Sequence, residues 1–416
     1  MRYVIIGTSA AGLAGAETLR RLAPQARITL ISDESHLPYS RPLLTYLLGR
    51  ETTREKLFLR SPDYFREWGF ETLLGTPVTR VDPGAREVHL ADGRALPYDR
   101  LLIASGAKPR LPPIPGLELS GVFTLRHLAD VERLERHLAQ ARRVAVVGAG
   151  AVGLKAADAL AHRGLAVDLL ARGAQPLSKV LDQVSARLLM EAIARLGISL
   201  HLNSWPTAVV GNGGRVTALA LNDGRELPTD AVLFSVGVAP RVEFLASTTL
   251  AAPEGIPVDE HLQTGDPDIF AAGDCVLPRH LLTGAPAAFH IWPAAVAQGE
   301  VAGANLAGAA RRYDGILPMN SISLRGCRII TGGHLTPDTP EGEIFEELDA
   351  TTGRFKRLVF DQGRLVGATL VGEVRHAGIY FRLIANRTPV KDLPVDPRSP
   401  HFHPGRLWAR PLPGAA

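Results

Sequence analysis

Two sets of glycines carry the first chemical signal in this chain. Gly148, Gly150 and Gly153, with Val152 beside the last of them, are spaced G-x-G-x-x-G. Gly7, Ser9, Ala10, Ala11 and Gly12 nearly repeat that spacing. Such a turn lets the backbone approach a pyrophosphate and points helix N–H groups at it. Asp33 follows about 20 residues past Gly12, where an acid can accept hydrogen bonds from a ribose. Ser9 replaces the middle glycine and is still small enough to admit a phosphate. After the second set no acid stands at the matching point. Ala171-Arg172-Gly173 occupies it, and an arginine there accommodates a 2′-phosphate, favouring NADPH over NADH.

The elements that must hold these residues read from the apolar runs. Val4-Ile5-Ile6 predicts a strand, Leu13 to Leu22 a helix and Arg27 to Ile31 a second strand. The later set repeats the order: strand Val144 to Val147, helix Leu154 to Arg163, strand Ala166 to Leu170. Each is a dinucleotide-binding βαβ unit. A longer repeat trails each one. Residues 92–109 and 223–240 align without a gap over 18 positions, nine of them identical, and both run through an Asp-Gly-Arg hairpin. The first copy ends in Ser105-Gly106 and the second reaches Gly237. The chain therefore holds two homologous domains, each a parallel sheet with a small antiparallel hairpin insert. Two nucleotide sites in one chain are the architecture of a hydride-transfer flavoenzyme.

In that context Gly273-Asp274, at the end of a short strand Ile269 to Ala272, closes the flavin domain. Asp274 is placed for a ribityl hydroxyl, and Gly273 leaves room. Arg41, in the loop Leu37 to Pro42, meets a phosphate or a carboxylate, or else lies solvated. Trp292 to Leu306 predicts a helix whose small-residue face, Ala295, Val296, Gly299, Ala302 and Gly303, suits packing beneath a cofactor. Beyond Ile316, short strands at Cys327 to Thr331, Glu343 to Leu348, Arg354 to Phe360 and Arg364 to Val371 precede a helix from Ala377 to Asn386. The fold class is α/β: two Rossmann-like domains with parallel sheets plus a C-terminal α+β domain. The expected division is 1–110 with 242–315 for the first nucleotide-binding domain, 111–241 for the second, and 316–416 for the α+β domain with a Pro/Arg/His-rich surface tail.

Composition removes several other classes. The net charge of +4 is small for 416 residues, and no dense basic run suggests nucleic acid. Cys275 and Cys327 are the only cysteines, too few for a disulfide framework, an iron–sulfur centre or a structural zinc. They suit a reducing, cytoplasmic compartment. No apolar run reaches the roughly 18 residues of a membrane span. The apolar N-terminus is interrupted by Gly7 and Gly12 and reads as the βαβ unit rather than a signal peptide.

Taken together, these residues resemble the FAD-dependent pyridine nucleotide-disulfide oxidoreductase family over nearly the whole chain. Pro38-Tyr39-Ser40-Arg41-Pro42-Leu43-Leu44 and Pro318-Met319-Asn320-Ser321-Ile322 are similar to the branch of rubredoxin and ferredoxin reductases and the flavin portion of assimilatory nitrite reductases. The resemblance implies FAD on the first unit, with Gly7, Ser9, Gly12 and Asp33 at the adenosine end and Asp274 at the flavin end. It implies NAD(P)H on the second, with Gly148, Gly150 and Gly153 at the pyrophosphate. Disulfide members carry a redox cysteine pair after the first unit, and oxidases and peroxidases carry one cysteine there. This chain has no cysteine before Cys275, which argues against glutathione, lipoamide and peroxide reductase roles. Many members of the branch carry a lysine near position 46 and a glutamate at position 155, beside the flavin. Tyr46 and Lys155 stand here. Either Lys155 supplies a cation to the flavin, or it lies on a solvated helix face with Asp158 and His162.

The expected activity is NAD(P)H-dependent reduction of FAD, with electrons passed to an external acceptor, since the chain has no metal centre of its own. A rubredoxin, a ferredoxin or a partner reductase subunit are the candidates. An NAD(P)H oxidase or quinone reductase, and a slowly turning nucleotide-binding sensor, are the alternatives. Homodimerisation is left open.

Overall fold

A computed structural model describes residues 1–288 and 290–403. The chain divides into two compact units. The first comprises Met1–Leu111, Leu125–Arg133 and Val236–Ile316. The second comprises Pro112–Thr124, Leu134–Ser235 and the residues from Leu317 onward.

The first unit is built on a five-stranded sheet in the order Ile269–Ala271, Arg100–Ile103, Arg2–Ile6, Arg27–Ile31 and Glu71–Leu73. All its pairings are parallel. Parallel strands are buried on both faces, so they read as continuous apolar runs. Successive residues of Arg2–Ile6 accordingly feed two cores. Tyr3 and Ile5 pack with the helices Ala10–Leu22 and Trp292–Leu306, whereas Val4 and Ile6 pack with Val81, Val88 and Leu90 of a small antiparallel sheet. That small sheet has three strands, Val78–Asp82, Glu87–Leu90 and Ala95–Pro97, where a two-stranded hairpin was expected. Val78–Asp82 carries little apolar signal because only Val81 is fully buried.

The two helices approach at glycines. A β-carbon on Gly299 would strike the carbonyl of Ala11, and one on Gly303 the carbonyl of Gly15. The small-residue face of Trp292–Leu306 thus packs on the opening helix at Gly299 and Gly303, a partner the sequence did not identify.

The second unit repeats the parallel sheet as Ser199–His201, Ala166–Leu170, Arg143–Val147, Ala231–Phe234 and Val122–Thr124. Its edge strand, Val122–Thr124, precedes the βαβ unit in the chain. The equivalent strand of the first unit, Ile269–Ala271, follows the other four strands of its sheet. A three-stranded antiparallel sheet, Pro206–Asn212, Arg215–Leu221 and Glu226–Pro228, again covers one face.

The same unit contains a five-stranded antiparallel sheet ordered Met319–Leu324, Cys327–Gly333, Arg364–Val371, Arg354–Asp361 and Glu343–Asp349, followed by the helix Ala377–Ala385. Met319–Leu324 was not expected as a strand, because its Asn and Ser residues mask the alternation. The expected surface tail needs a correction at its start: Phe402 is buried and stacks on Tyr380, with ring centres 5.1 Å apart. Residues 404–416 of that tail lie outside the described residues.

Candidate functional site

In the first unit the predicted flavin residues gather at one edge of the sheet, the carboxyl ends of its strands. Gly7 follows Arg2–Ile6, Asp33 follows Arg27–Ile31, Ser105 and Gly106 follow Arg100–Ile103, and Gly273 and Asp274 follow Ile269–Ala271. Between Arg2–Ile6 and Arg100–Ile103 the chain reverses its direction of travel across the sheet. Open α/β sheets bind their ligands at this switch point.

The crest is shaped for a phosphate. Gly7 has φ +107° and its N–H donates to the carbonyl of Ile31 at 2.8 Å. A β-carbon on Gly7 would strike the carbonyl of Ala104, and one on Gly12 would strike that of Gly7. The helix Ala10–Leu22 starts from Ser9, whose side chain makes no capping hydrogen bond. Its first N–H groups and positive dipole end are therefore left for another acceptor. Gly273, at φ +89°, donates its N–H to Gln298 Oε1 at 2.7 Å, and a β-carbon there would stand 3.0 Å from that of Ala11. Bare glycines and uncapped donors fit a dinucleotide pyrophosphate.

A belt of paired charges flanks the crest. Asp274 accepts from Arg126 at 2.6 Å, and His290 Nδ1 lies 3.9 Å from its other oxygen. Burial would raise the Asp274 pKa, but His290 and Arg126 outweigh it and hold the carboxyl below its usual range. Asp33 accepts from Arg241 at 2.6 Å, and Ser105 Oγ donates to the Arg241 carbonyl at 2.7 Å. Arg41 is neither solvated nor uncommitted. It donates to Glu34 at 2.5 Å and to the Arg126 carbonyl at 2.8 Å, and it lies 3.2 Å from His127 Nδ1. Tyr39 donates to Glu34 at 2.6 Å and accepts the Leu128 N–H. Burial opposes ionisation of Glu34, yet His127, Arg41 and Tyr39 push its pKa down to about 2. Trp292 opens the helix Trp292–Leu306, and Tyr46 is half-buried in the short helix Leu44–Leu48.

In the second unit Gly148 has φ +111° and donates to the Leu170 carbonyl at 2.9 Å. A β-carbon on Gly153 would strike the Gly148 carbonyl, whereas one on Gly150 would meet nothing within 4 Å. Gly150 begins the helix Ala151–His162 without a side-chain cap, and Val152 on its first turn is 47% exposed. This turn too fits a pyrophosphate. Arg172 is exposed just beyond Ala166–Leu170, with its guanidinium 5.6 Å from the ring centre of Trp205. Gly237, at φ +99°, belongs to the first unit and also faces open space. Lys155 is not on a solvated face. Its side chain is 16% exposed and lies 3.4 Å from Asp158, which is 2% exposed and also accepts from Arg325 at 2.7 Å.

Residues 1–299 match the family model described as pyridine nucleotide-disulphide oxidoreductase. The chain belongs to that family. As a member it is an FAD-dependent NAD(P)H oxidoreductase, with the two-cofactor α/β fold read from its sequence. Residues 318–388 match the rubredoxin NAD+ reductase C-terminal domain. The oxidoreductase is 32% identical to the NADH-dependent phenylglyoxylate dehydrogenase subunit epsilon of Aromatoleum evansii, over 94% of this chain and 93% of that one. It is 30% identical to rubredoxin-NAD(+) reductase of Pseudomonas putida, over 74% of this chain and 80% of the relative. A crystal structure of the covalent putidaredoxin reductase–putidaredoxin complex contains a similar chain, with a TM-score of 0.86 at 28% identity and 94% of each chain covered. The oxidoreductase spans only 39% of the NAD(P)H nitrite reductase large subunit of Klebsiella oxytoca, to which it is 32% identical.

Sequence reasoning missed Glu34, Arg126, His127, His290 and Trp205. Glu34 stood beside Asp33, but of its partners Tyr39, Arg41 and His127 the last lies far along the chain. Arg126 and His127 precede the helix Leu128–Leu138, and their partners Asp274 and Glu34 are distant in the chain. Cys275 is fully buried, and burial raises its thiol pKa, as suits an inert cysteine. Among the described residues no helix is long and apolar enough to cross a membrane.

Proposed function

We propose that this oxidoreductase draws hydride from NADPH in preference to NADH and hands electrons to a small one-electron protein carrier, such as a rubredoxin or ferredoxin, or to a partner reductase subunit. The observation that carries this reading is the pair of glycine crests, one in each unit, each opening an uncapped helix. Relatives named for rubredoxin and putidaredoxin support the class of acceptor. Bound FAD supplies the redox chemistry, accepting hydride from the nicotinamide and releasing electrons onward.

The chain's own residues bind and orient. Gly7, Ser9, Ala10, Ala11 and Gly12 cradle the FAD pyrophosphate through backbone N–H groups. Asp33 receives the adenosine ribose and Asp274 the ribityl chain, while Ser105, Gly106 and Gly273 keep the backbone close. Arg41 acts through Glu34, fixing the loop beside Asp33. Gly148, Gly150, Val152 and Gly153 hold the coenzyme pyrophosphate, and Gly237 keeps its sequence assignment to the coenzyme. Arg172 faces the 2′-phosphate. Tyr46 and Lys155 are assigned beside the flavin on family resemblance. On this reading FAD belongs to 1–110 with 242–315, NAD(P)H to 111–241, and 316–416 forms the α+β domain. Two free, buried cysteines support a cytoplasmic setting.

Steady-state kcat/KM with ferricyanide as acceptor tests the coenzyme assignment. A charge-assisted contact is worth about 1.5–3 kcal/mol, so NADPH should exceed NADH by about tenfold or more. A clear preference for NADH would remove the role given to Arg172.

A further inference from the structure

Arg172 rests on a built platform. It follows the second parallel strand, and the segment Ala171–Gly173 is stitched to the segment after the neighbouring strand by three backbone hydrogen bonds. The Ala171 N–H donates to His201 at 2.8 Å, the Asn203 N–H to Gly173 at 3.1 Å, and the Ser204 N–H to Ala171 at 3.0 Å. Trp205 comes next in the chain and is itself clamped. Its N–H donates to Asn222 Oδ1 at 2.8 Å, its carbonyl accepts the Asn222 N–H at 3.0 Å, and Asn222 Nδ2 donates to the Asn203 carbonyl at 3.2 Å. The indole therefore has a fixed backbone beneath it, and the guanidinium of Arg172 lies over its ring. Among the described residues Arg172 makes no ion pair with a carboxylate. A guanidinium stacked on an aromatic face keeps its N–H edge available for a bidentate contact with phosphate.

We propose that Trp205 is a positioning residue for coenzyme selection: its indole holds the Arg172 guanidinium in place to meet the 2′-phosphate of NADPH. The inference rests on the reading that Arg172 selects NADPH, and it adds the residue that gives that arginine its geometry. An arginine on a flexible stem loses rotamer freedom on binding phosphate, and stacking it beforehand lowers that loss.

The test measures calorimetric binding of 2′,5′-ADP and 5′-AMP to the FAD-loaded full chain. Trp205→Leu should weaken 2′,5′-ADP by about 2- to 5-fold, the range of an exposed cation–π contact, and leave 5′-AMP unchanged. Trp205→Phe should restore most of the difference, because a ring is retained. Arg172→Ala should abolish the preference for 2′,5′-ADP. If wild type shows no such preference, the NADPH reading itself falls. If wild type prefers 2′,5′-ADP and Arg172→Ala removes the preference while Trp205→Leu leaves it intact, only the role of Trp205 is overturned. Equal weakening of both ligands by Trp205→Leu would likewise overturn it, since the indole would then serve the adenine or the fold.

Discussion

At the scale of single residues, the account turns on space and on charge. At Gly12 there is no room for a methyl group, because its β-carbon would strike the Gly7 carbonyl. Gly12→Ala should cost about 1–3 kcal/mol or more, as overpacking does, and should yield protein with little bound FAD. Flavin absorbance per chain and thermal unfolding report both. Gly150→Ala is the matched contrast. Its β-carbon meets open space and its φ is −82°, so stability should move by less than about 0.5 kcal/mol while the KM for NADPH rises. Glu34 adds a pH signature. Its pKa lies near 2 against an ordinary 4.5, so its ionised form stabilises the fold above that ordinary value, and the stabilisation is lost as pH falls from about 4.5 towards 2. Glu34→Gln should lower stability at pH 7 by up to about 3 kcal/mol and flatten the acid limb of a stability–pH profile. Equal slopes for the two proteins below pH 5 would remove Glu34 from the account. The glycines and Asp33 were legible because their chemistry is carried by local spacing. Glu34 was not, because its meaning comes from Arg41, Tyr39 and His127, and His127 reaches it only through the tertiary fold.

At the scale of elements, strands and helices with one-sided or two-sided burial read directly from apolar runs. Arg2–Ile6 and Arg143–Val147 were found this way. Three-residue edge strands such as Val122–Thr124 are too short to show a period, and Met319–Leu324 is too polar. The partner of a helix face was harder to read than its composition: the small residues of Trp292–Leu306 were visible, but their contact with Gly15 and Ala11 was not. Side-chain links between elements were likewise hidden. Asp158 joins the helix Ala151–His162 to Arg325, in the turn between Met319–Leu324 and Cys327–Gly333. Asp158→Ala would remove the buried carboxylate shared by Lys155 and Arg325, and should cost about 1–3 kcal/mol in urea unfolding. Lys155→Gln should cost less than about 1 kcal/mol, since Arg325 still neutralises Asp158. Similar losses for both variants would contradict this division of roles.

At the scale of the whole molecule, the internal repeat made the architecture legible. Two glycine turns, two Asp-Gly-Arg hairpins and one Gly-Asp turn sufficed for two homologous parallel sheets, and the family match confirms the class. Identity of the electron acceptor is not encoded in a local motif, because carrier recognition depends on surfaces assembled by folding. The central claim is that reducing equivalents enter from NADPH and leave to a one-electron protein. Anaerobic stopped-flow tests it most directly: the FAD-loaded protein is reduced with one equivalent of NADPH and then mixed separately with rubredoxin, ferredoxin, a quinone or oxygen. The account predicts stoichiometric bleaching of the flavin, with absorbance returning about tenfold or more faster for a protein carrier than for quinone or oxygen. Return at least as fast with oxygen or quinone as with either carrier would contradict it.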